Sequence, residues 1–163
     1  MSSGRSAPRR GDDVDNRWLG GGHNRTDIAG FYGAGAEQPH TRPFVLDNDE
    51  PPVLLSSDQA PNPVEYVLHG LAGCLMTSLT YHAAARGIPL QGVRTRLEGD
   101  LDLHGFLGLD EQVRNGYEQI RVRFEFDGDL TEEQKQQLVE LAQQRSPVFD
   151  IVTNQVPVTV HAT

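Results

Sequence analysis

The stretch that most limits what this chain can fold into runs from residue 62 to residue 90, NPVEYVLHGLAGCLMTSLTYHAAARGIPL. Asn62 can cap a helix, Pro63 suits the first helical position, and Glu65 stands where it can reach back to the cap amide. Val64, Val67, Leu68, Leu71, Leu75, Met76 and Leu79 then recur at helical spacing. Gly87 ends the run and Pro89 blocks its continuation. The predicted helix is apolar around more than one face, which calls for burial on several sides. A chain of 163 residues, the size of one ordinary domain, has little left to cover all of it, and a partner subunit would.

The remaining texture places that helix in an α+β context. Residues 1–16 carry Ser, Gly, Pro, Arg and Asp with almost nothing to bury, so a disordered tail is expected there and a single domain over 17–163. Short apolar pieces around Trp18, Ile28, Phe44 and Val53 alternate with Gly, Pro, Asp and Asn, the pattern of short strands and turns. After the helix, Leu90, Val93, Leu97, Leu101 and Leu103 mark a polar–apolar alternation. Ile120, Val122, Phe124 and Phe126 alternate strictly, as in a strand with one wet face. Thr131 caps a second helix running to about Arg145, with Glu132 and Glu133 in its first turn and Gln134 at the capping-box position. Leu138, Leu141 and Ala142 form its apolar stripe, and Ser146 with Pro147 stops it. Val156, Val158 and Val160 predict a final strand. This order gives a mainly antiparallel sheet against helices.

Charge and cysteine content exclude several function classes. Fourteen Lys and Arg stand against 23 Asp and Glu, a net charge of −9, which disfavours nucleic acid and anionic membranes as main partners. No apolar run reaches the length of a membrane span, and the N-terminus has no apolar core of the kind a signal peptide needs. One cysteine and no export signal lead to the expectation of a cytoplasmic, reducing compartment.

That cysteine, Cys74, cannot close an intramolecular disulfide. A free cysteine is ordinarily a small buried hydrophobe. Two features pull towards reactivity. Gly70 and Gly73 flank it, and glycine is costly inside a helix unless the backbone breaks or approaches something closely. A break there would place Cys74 near a new helix N-terminus, where the dipole favours thiolate. Glu65 lies nine residues upstream, which on a straight helix is about 900° of turn and roughly 13.5 Å of rise, so the two stand on opposite faces. Sharing a site would require a broken helix or a second subunit. Glu65 is equally well read as half of a capping box. The six histidines show no metal-ligand spacing, and no metal or cofactor is expected.

In order and spacing these segments resemble the OsmC/Ohr family of osmotically inducible and organic-hydroperoxide-resistance proteins. NPVEYVLHGLAGC followed by a helix ending at RGI carries the resemblance, together with LDNDEP (46–51), LEGDLDLHGFLGLDE (97–111) and SPVFDIV (146–152), and it covers about residues 17–162. The resemblance implies an intertwined homodimer of α+β subunits, two long central helices in the dimer core, and sites at the interface. It also implies reduction of organic hydroperoxides without metal or prosthetic group. A cysteine thiolate attacks the O–O bond, a second cysteine condenses with the resulting sulfenic acid, and a dithiol reopens the disulfide. An arginine and a glutamate polarise the reactive thiol.

Carried over to this chain, the peroxidatic position is Cys74, the glutamate is Glu65, and the arginine is Arg25 in GGHNRTDI, with Arg42 in HTRPF as runner-up. The chain departs at Ser146, where catalytic members carry the second cysteine. A serine cannot form a disulfide, so a sulfenic acid on Cys74 must be reset by an external thiol. The expected function is therefore a one-cysteine reductase of organic hydroperoxides acting in oxidative-stress defence. Alternatives are a non-catalytic ligand-binding or stress-response dimer with Cys74 as pocket lining, and a redox sensor.

Overall fold

The computed structural model describes residues 12–33 and 35–162. The chain divides into two units, Met1–Tyr66 and Val67–Thr163, each described by itself below. The α+β class expected from the sequence is the one found, with antiparallel sheets and, among the described residues, four α-helices.

The first unit is an antiparallel meander of β1 (Asp15–Gly20), β2 (His23–Gly33) and β3 (Ala36–Asn48), in the order β1-β2-β3. The expected tail at 1–16 falls largely outside the described residues; Asp12 forms an isolated bridge to Phe31, and Asp15 and Asn16 already belong to β1. Arg25 sits opposite Asp47 in the β2–β3 register. Beyond it the ladder slips: Ile28 faces Phe44 while Gly30 faces Pro39, so residues 40–43 bulge out and carry the exposed Arg42 with them. The apolar piece around Val53 is a 3-10 turn (Pro52–Leu54) rather than a strand, closed by Leu55 in the left-handed region at φ 60°.

Among the described residues of this unit only Asp49 is buried, while Trp18 is 76% exposed. The buried carboxylate accepts the amides of Glu50 (2.8 Å) and Gln59 (3.1 Å) and the Ser56 hydroxyl. It thereby pins the turn that leads into the long helix, as a buried charge must be paired to be tolerated.

That helix, α1 (Pro63–Ala85), starts in the first unit and continues into the second. It runs through Gly70 and Gly73 without a break, so the fresh helix N-terminus that would have activated Cys74 does not form. A continuous ladder of i to i−4 bonds tolerates two glycines at a cost of about 1 kcal/mol each relative to alanine. Gly87 takes φ 65° just past the helix end, the left-handed position that glycine fills without penalty.

In the second unit, α1 buries one stripe, Leu71, Leu75, Leu79 and Ala83, at intervals of four. Leu138 and Ala142 of α3 (Glu132–Arg145) complete this core. β4 (Gly92–Asp100) and β5 (Gln119–Asp127) pair antiparallel, and Ile120, Val122, Phe124 and Phe126 line the face packed on the core, as their alternation predicts. Thr131 and Gln134 form the expected reciprocal capping box at the start of α3. Two short helices exceed the sequence reading: α2 (Leu103–Phe106), capped by Asp102, and α4 (Pro147–Thr153), capped by Ser146. The final strand does not form; residues 156–160 belong to no strand, and Val160 is 86% exposed. Alternation supplies a face, but a strand also needs an edge to pair with.

Candidate functional site

Cys74 lies half-buried on α1, flanked in sequence by the core residue Leu75. It is eleven residues past Pro63 in an unbroken helix, beyond the first turn where the helix dipole acts on a thiol. Any activation must come from side chains. Ser78, one turn further along the same face, donates its hydroxyl to the Arg145 carbonyl at 3.3 Å. Arg145 immediately precedes Ser146, so the α3–α4 junction is tied to α1 at the turn after Cys74. Ser146 is buried there, and its Oγ accepts the Phe149 amide at 3.1 Å as the cap of α4. Ser146, the point at which the chain departs from the resemblance, thus has a structural task of its own.

Arg25 belongs to the first unit and is engaged along one edge. Its Nε and Nη2 donate to the two carboxylate oxygens of Asp47 at 2.6 and 2.9 Å. This two-point bond and the opposite charge raise the arginine above its ordinary value and hold Asp47 below the usual carboxylate range. His23 Nε2 stands 3.7 Å from the same carboxylate, too far for a hydrogen bond. Of five guanidinium N–H groups the pair uses two, so the end edge of Arg25 remains directed away from Asp47.

Glu65 closes the capping box with Asn62. Its Oε2 accepts the Asn62 amide at 2.8 Å, while its own amide donates to Asn62 Oδ1 at 2.9 Å. Its neighbour Tyr66 donates its phenol to the Asp47 carbonyl at 2.7 Å. Asp47 therefore touches Arg25 through its side chain and the first turn of α1 through its backbone. Glu50 lies close enough for the Glu65 charge to act on it: burial, then Asp49, then Glu65 push its carboxyl up.

The structure thus links Arg25 and the Glu65 turn through Asp47 in the first unit, and places Cys74 in the second. Arg42, on the exposed bulge, has no such link. Sequence reasoning missed Asp47. The signal available was its place in LDNDEP, but its partner lies 22 residues away, and only the strand register joins them. Among the described residues no group of three or more His, Cys, Asp or Glu is arranged to hold a metal ion. No helix among them is long and apolar enough to cross a membrane.

A model of the OsmC-like protein family matches residues 56–161. Solved structures share the fold at low identity. An OsmC-like protein from Mycoplasma pneumoniae is 14% identical, with 87% of this chain and 86% of that one covered at a TM-score of 0.67. An organic hydroperoxide resistance protein OsmC from Legionella pneumophila is 18% identical, with 86% and 88% covered at 0.61. An osmotic stress induced and detoxification response protein from Psychrobacter arcticus is 13% identical, with 91% and 90% covered at 0.62. Comparison with curated protein sequences gives no match.

Proposed function

Because the chain belongs to the OsmC-like protein family, we propose that it serves oxidative-stress defence by reducing organic hydroperoxides through Cys74, with Arg25 and Glu65 as the activating pair. The observation that carries this reading is Cys74 itself: a free thiol, half-buried on α1, in the AGC motif that the family resemblance marks as the reactive position. The organic hydroperoxide resistance protein from Legionella with the same fold points the same way.

The chemistry balances without a metal or prosthetic group. The thiolate sulfur attacks the terminal peroxide oxygen, an S–O bond forms, and the O–O bond breaks. The leaving alkoxide takes up a proton and departs as the alcohol. Sulfur is oxidised by two electrons and the peroxide reduced by two. With Ser146 unable to form a disulfide, one external thiol condenses with the sulfenic acid and releases water, and a second thiol frees Cys74 and leaves as the disulfide. Arg25 stays charged, favours thiolate, and can hydrogen-bond the oxygen that becomes negative.

The working form in this reading is a homodimer. α1 buries a single stripe within the chain, and a Cβ at Gly70 or Gly73 would meet no atom within 4 Å, so the helix has a smooth uncovered face for a second copy. A dimer also resolves the helix geometry: Glu65 and Cys74 stand on opposite faces of one α1, so Glu65 would serve the thiol of the other subunit.

A second reading draws on one observation. Arg25 and Glu65 both already have partners, Asp47 and Asn62, which suits a non-catalytic stress-response dimer with Cys74 as lining. One measurement separates them: the rate of Cys74 oxidation by cumene hydroperoxide at neutral pH. A rate well above that of free cysteine, lost in Cys74→Ser, supports the peroxidase; a rate equal to free cysteine leaves the non-catalytic reading.

A further inference from the structure

We propose that Asp47 is a positioning residue of the peroxide site, an inference that rests on the peroxidase reading and extends it. Three observations in the first unit converge on this one residue. Its carboxylate takes the Nε edge of the Arg25 guanidinium by two hydrogen bonds, at 2.6 and 2.9 Å. Its carbonyl accepts the Tyr66 phenol at 2.7 Å, one residue past Glu65. Its backbone stands opposite Arg25 in the β2–β3 register, so the pair is built into the sheet. Asp47 thus sets Arg25 and the Glu65 turn in one frame.

The chemical consequence follows from the shape of the guanidinium. Arginine presents two flat edges, each able to offer two parallel N–H groups. Asp47 occupies the Nε edge and locks rotation of the side chain, which leaves the end edge oriented. Two parallel donors on a fixed plane suit the two oxygens of a hydroperoxide, and they hold the departing alkoxide oxygen as negative charge develops on it. An arginine free to swing would lose orientation at each turnover, and pre-organisation of this kind is worth a large rate factor. Asp47 touches neither thiol nor peroxide; it acts through Arg25.

The test uses the full chain with Asp47→Asn, Asp47→Glu, Arg25→Gln and the double variant D47N/R25Q. The rate constant for Cys74 oxidation by cumene hydroperoxide is followed by stopped flow, and side-chain Nε–H exchange of Arg25 by NMR. D47N is expected to lower the rate constant roughly tenfold or more and to speed Nε–H exchange, with partial recovery in D47E. In the R25Q background, D47N is expected to cause no further loss, since the residue acts only through the arginine. A purely structural role would move the melting temperature and leave the rate of the folded protein unchanged, which overturns the proposal. If D47N does not fold, D47E decides: a wild-type rate with the arginine edge displaced by one methylene overturns it. A fast wild type with D47N equally fast removes the proposal alone; a wild type no faster than free cysteine removes the peroxidase reading and the proposal with it.

Discussion

Ser78 and Arg145 are joined hydroxyl to carbonyl at 3.3 Å, and this bond ties the residue before Ser146 to α1 at the turn after Cys74. The junction is therefore the place from which a second thiol could meet the first. Ser146→Cys is expected to give an internal disulfide with Cys74 after treatment with one equivalent of cumene hydroperoxide. Mass spectrometry without reductant would detect the loss of two hydrogens, and Cys74→Ser should abolish it. A chain that stays reduced at both positions, or that links only between chains, would show that the junction does not present residue 146 to Cys74.

Ser146→Ala isolates the structural task of the same residue. The Phe149 amide would lose its acceptor at a buried cap, so a loss of about 1 kcal/mol is expected by chemical denaturation. The rate of Cys74 oxidation should not change, because a hydroxyl at this position takes no part in resolving a sulfenic acid.

Glu65 can be separated into cap and chemistry by two variants. Gln retains the reciprocal hydrogen bond to the Asn62 amide, whereas Ala removes it. Glu65→Gln should therefore hold its stability while Cys74 oxidation slows, and Glu65→Ala should lose both. A Glu65→Gln protein as fast as wild type would reduce Glu65 to a helix cap.

Much of this architecture was legible because its signals are local. The α1 cap at Asn62, the stop at Gly87, the Thr131 box and the alternation of Ile120 to Phe126 all lie within a few residues of what they control. What escaped was set by distance. β1 is exposed along nearly its whole length, so no alternation marks it, and the bulge at 40–43 is fixed only by pairing with β2. Val156, Val158 and Val160 carry a strand pattern whose partner edge no local signal names. Motif resemblance pointed to Cys74, Arg25 and Glu65 but not to Asp47, whose pairing with Arg25 exists only once two strands are in register. The glycines beside Cys74 misled, since the broken backbone they suggested is an intact helix.

Acid should act on the first unit through Asp49. Its carboxyl is held below the ordinary range, chiefly by the Ser56 hydroxyl, then by the Gln59, Glu50 and Ser57 amides, against burial, which raises it. A folded value below the unfolded one of about 3.9 means stability that is complete above the unfolded value and lost as pH falls through the folded one. Glu50 runs the other way: raised by burial, Asp49 and Glu65, its ionised form costs stability, and that cost fades as pH falls through its folded value. Asp49→Asn should therefore be less stable than wild type at neutral pH, with the gap closing below about pH 4. Denaturant midpoints across that range would show it, and a gap independent of pH would mean that the charge is immaterial.

The proposed dimer gives the last prediction. α1 leaves Tyr81 73% exposed and Val67 exposed, beside the open positions Gly70 and Gly73, so its uncovered face costs stability in an isolated chain. If a second copy covers that face, folding and association are linked, and the melting temperature must rise with protein concentration. Gly73→Leu would place bulk on that face, at a position where an added Cβ meets nothing within 4 Å beyond its own helix backbone. It is expected to shift sedimentation towards monomer and flatten the concentration dependence, while Leu79→Ala, at a fully buried core position, should cost about 2–5 kcal/mol by opening a cavity in the second unit. A melting temperature constant over a hundredfold dilution, with Gly73→Leu as stable as wild type, would leave the face of α1 to solvent and remove the partner subunit from the site.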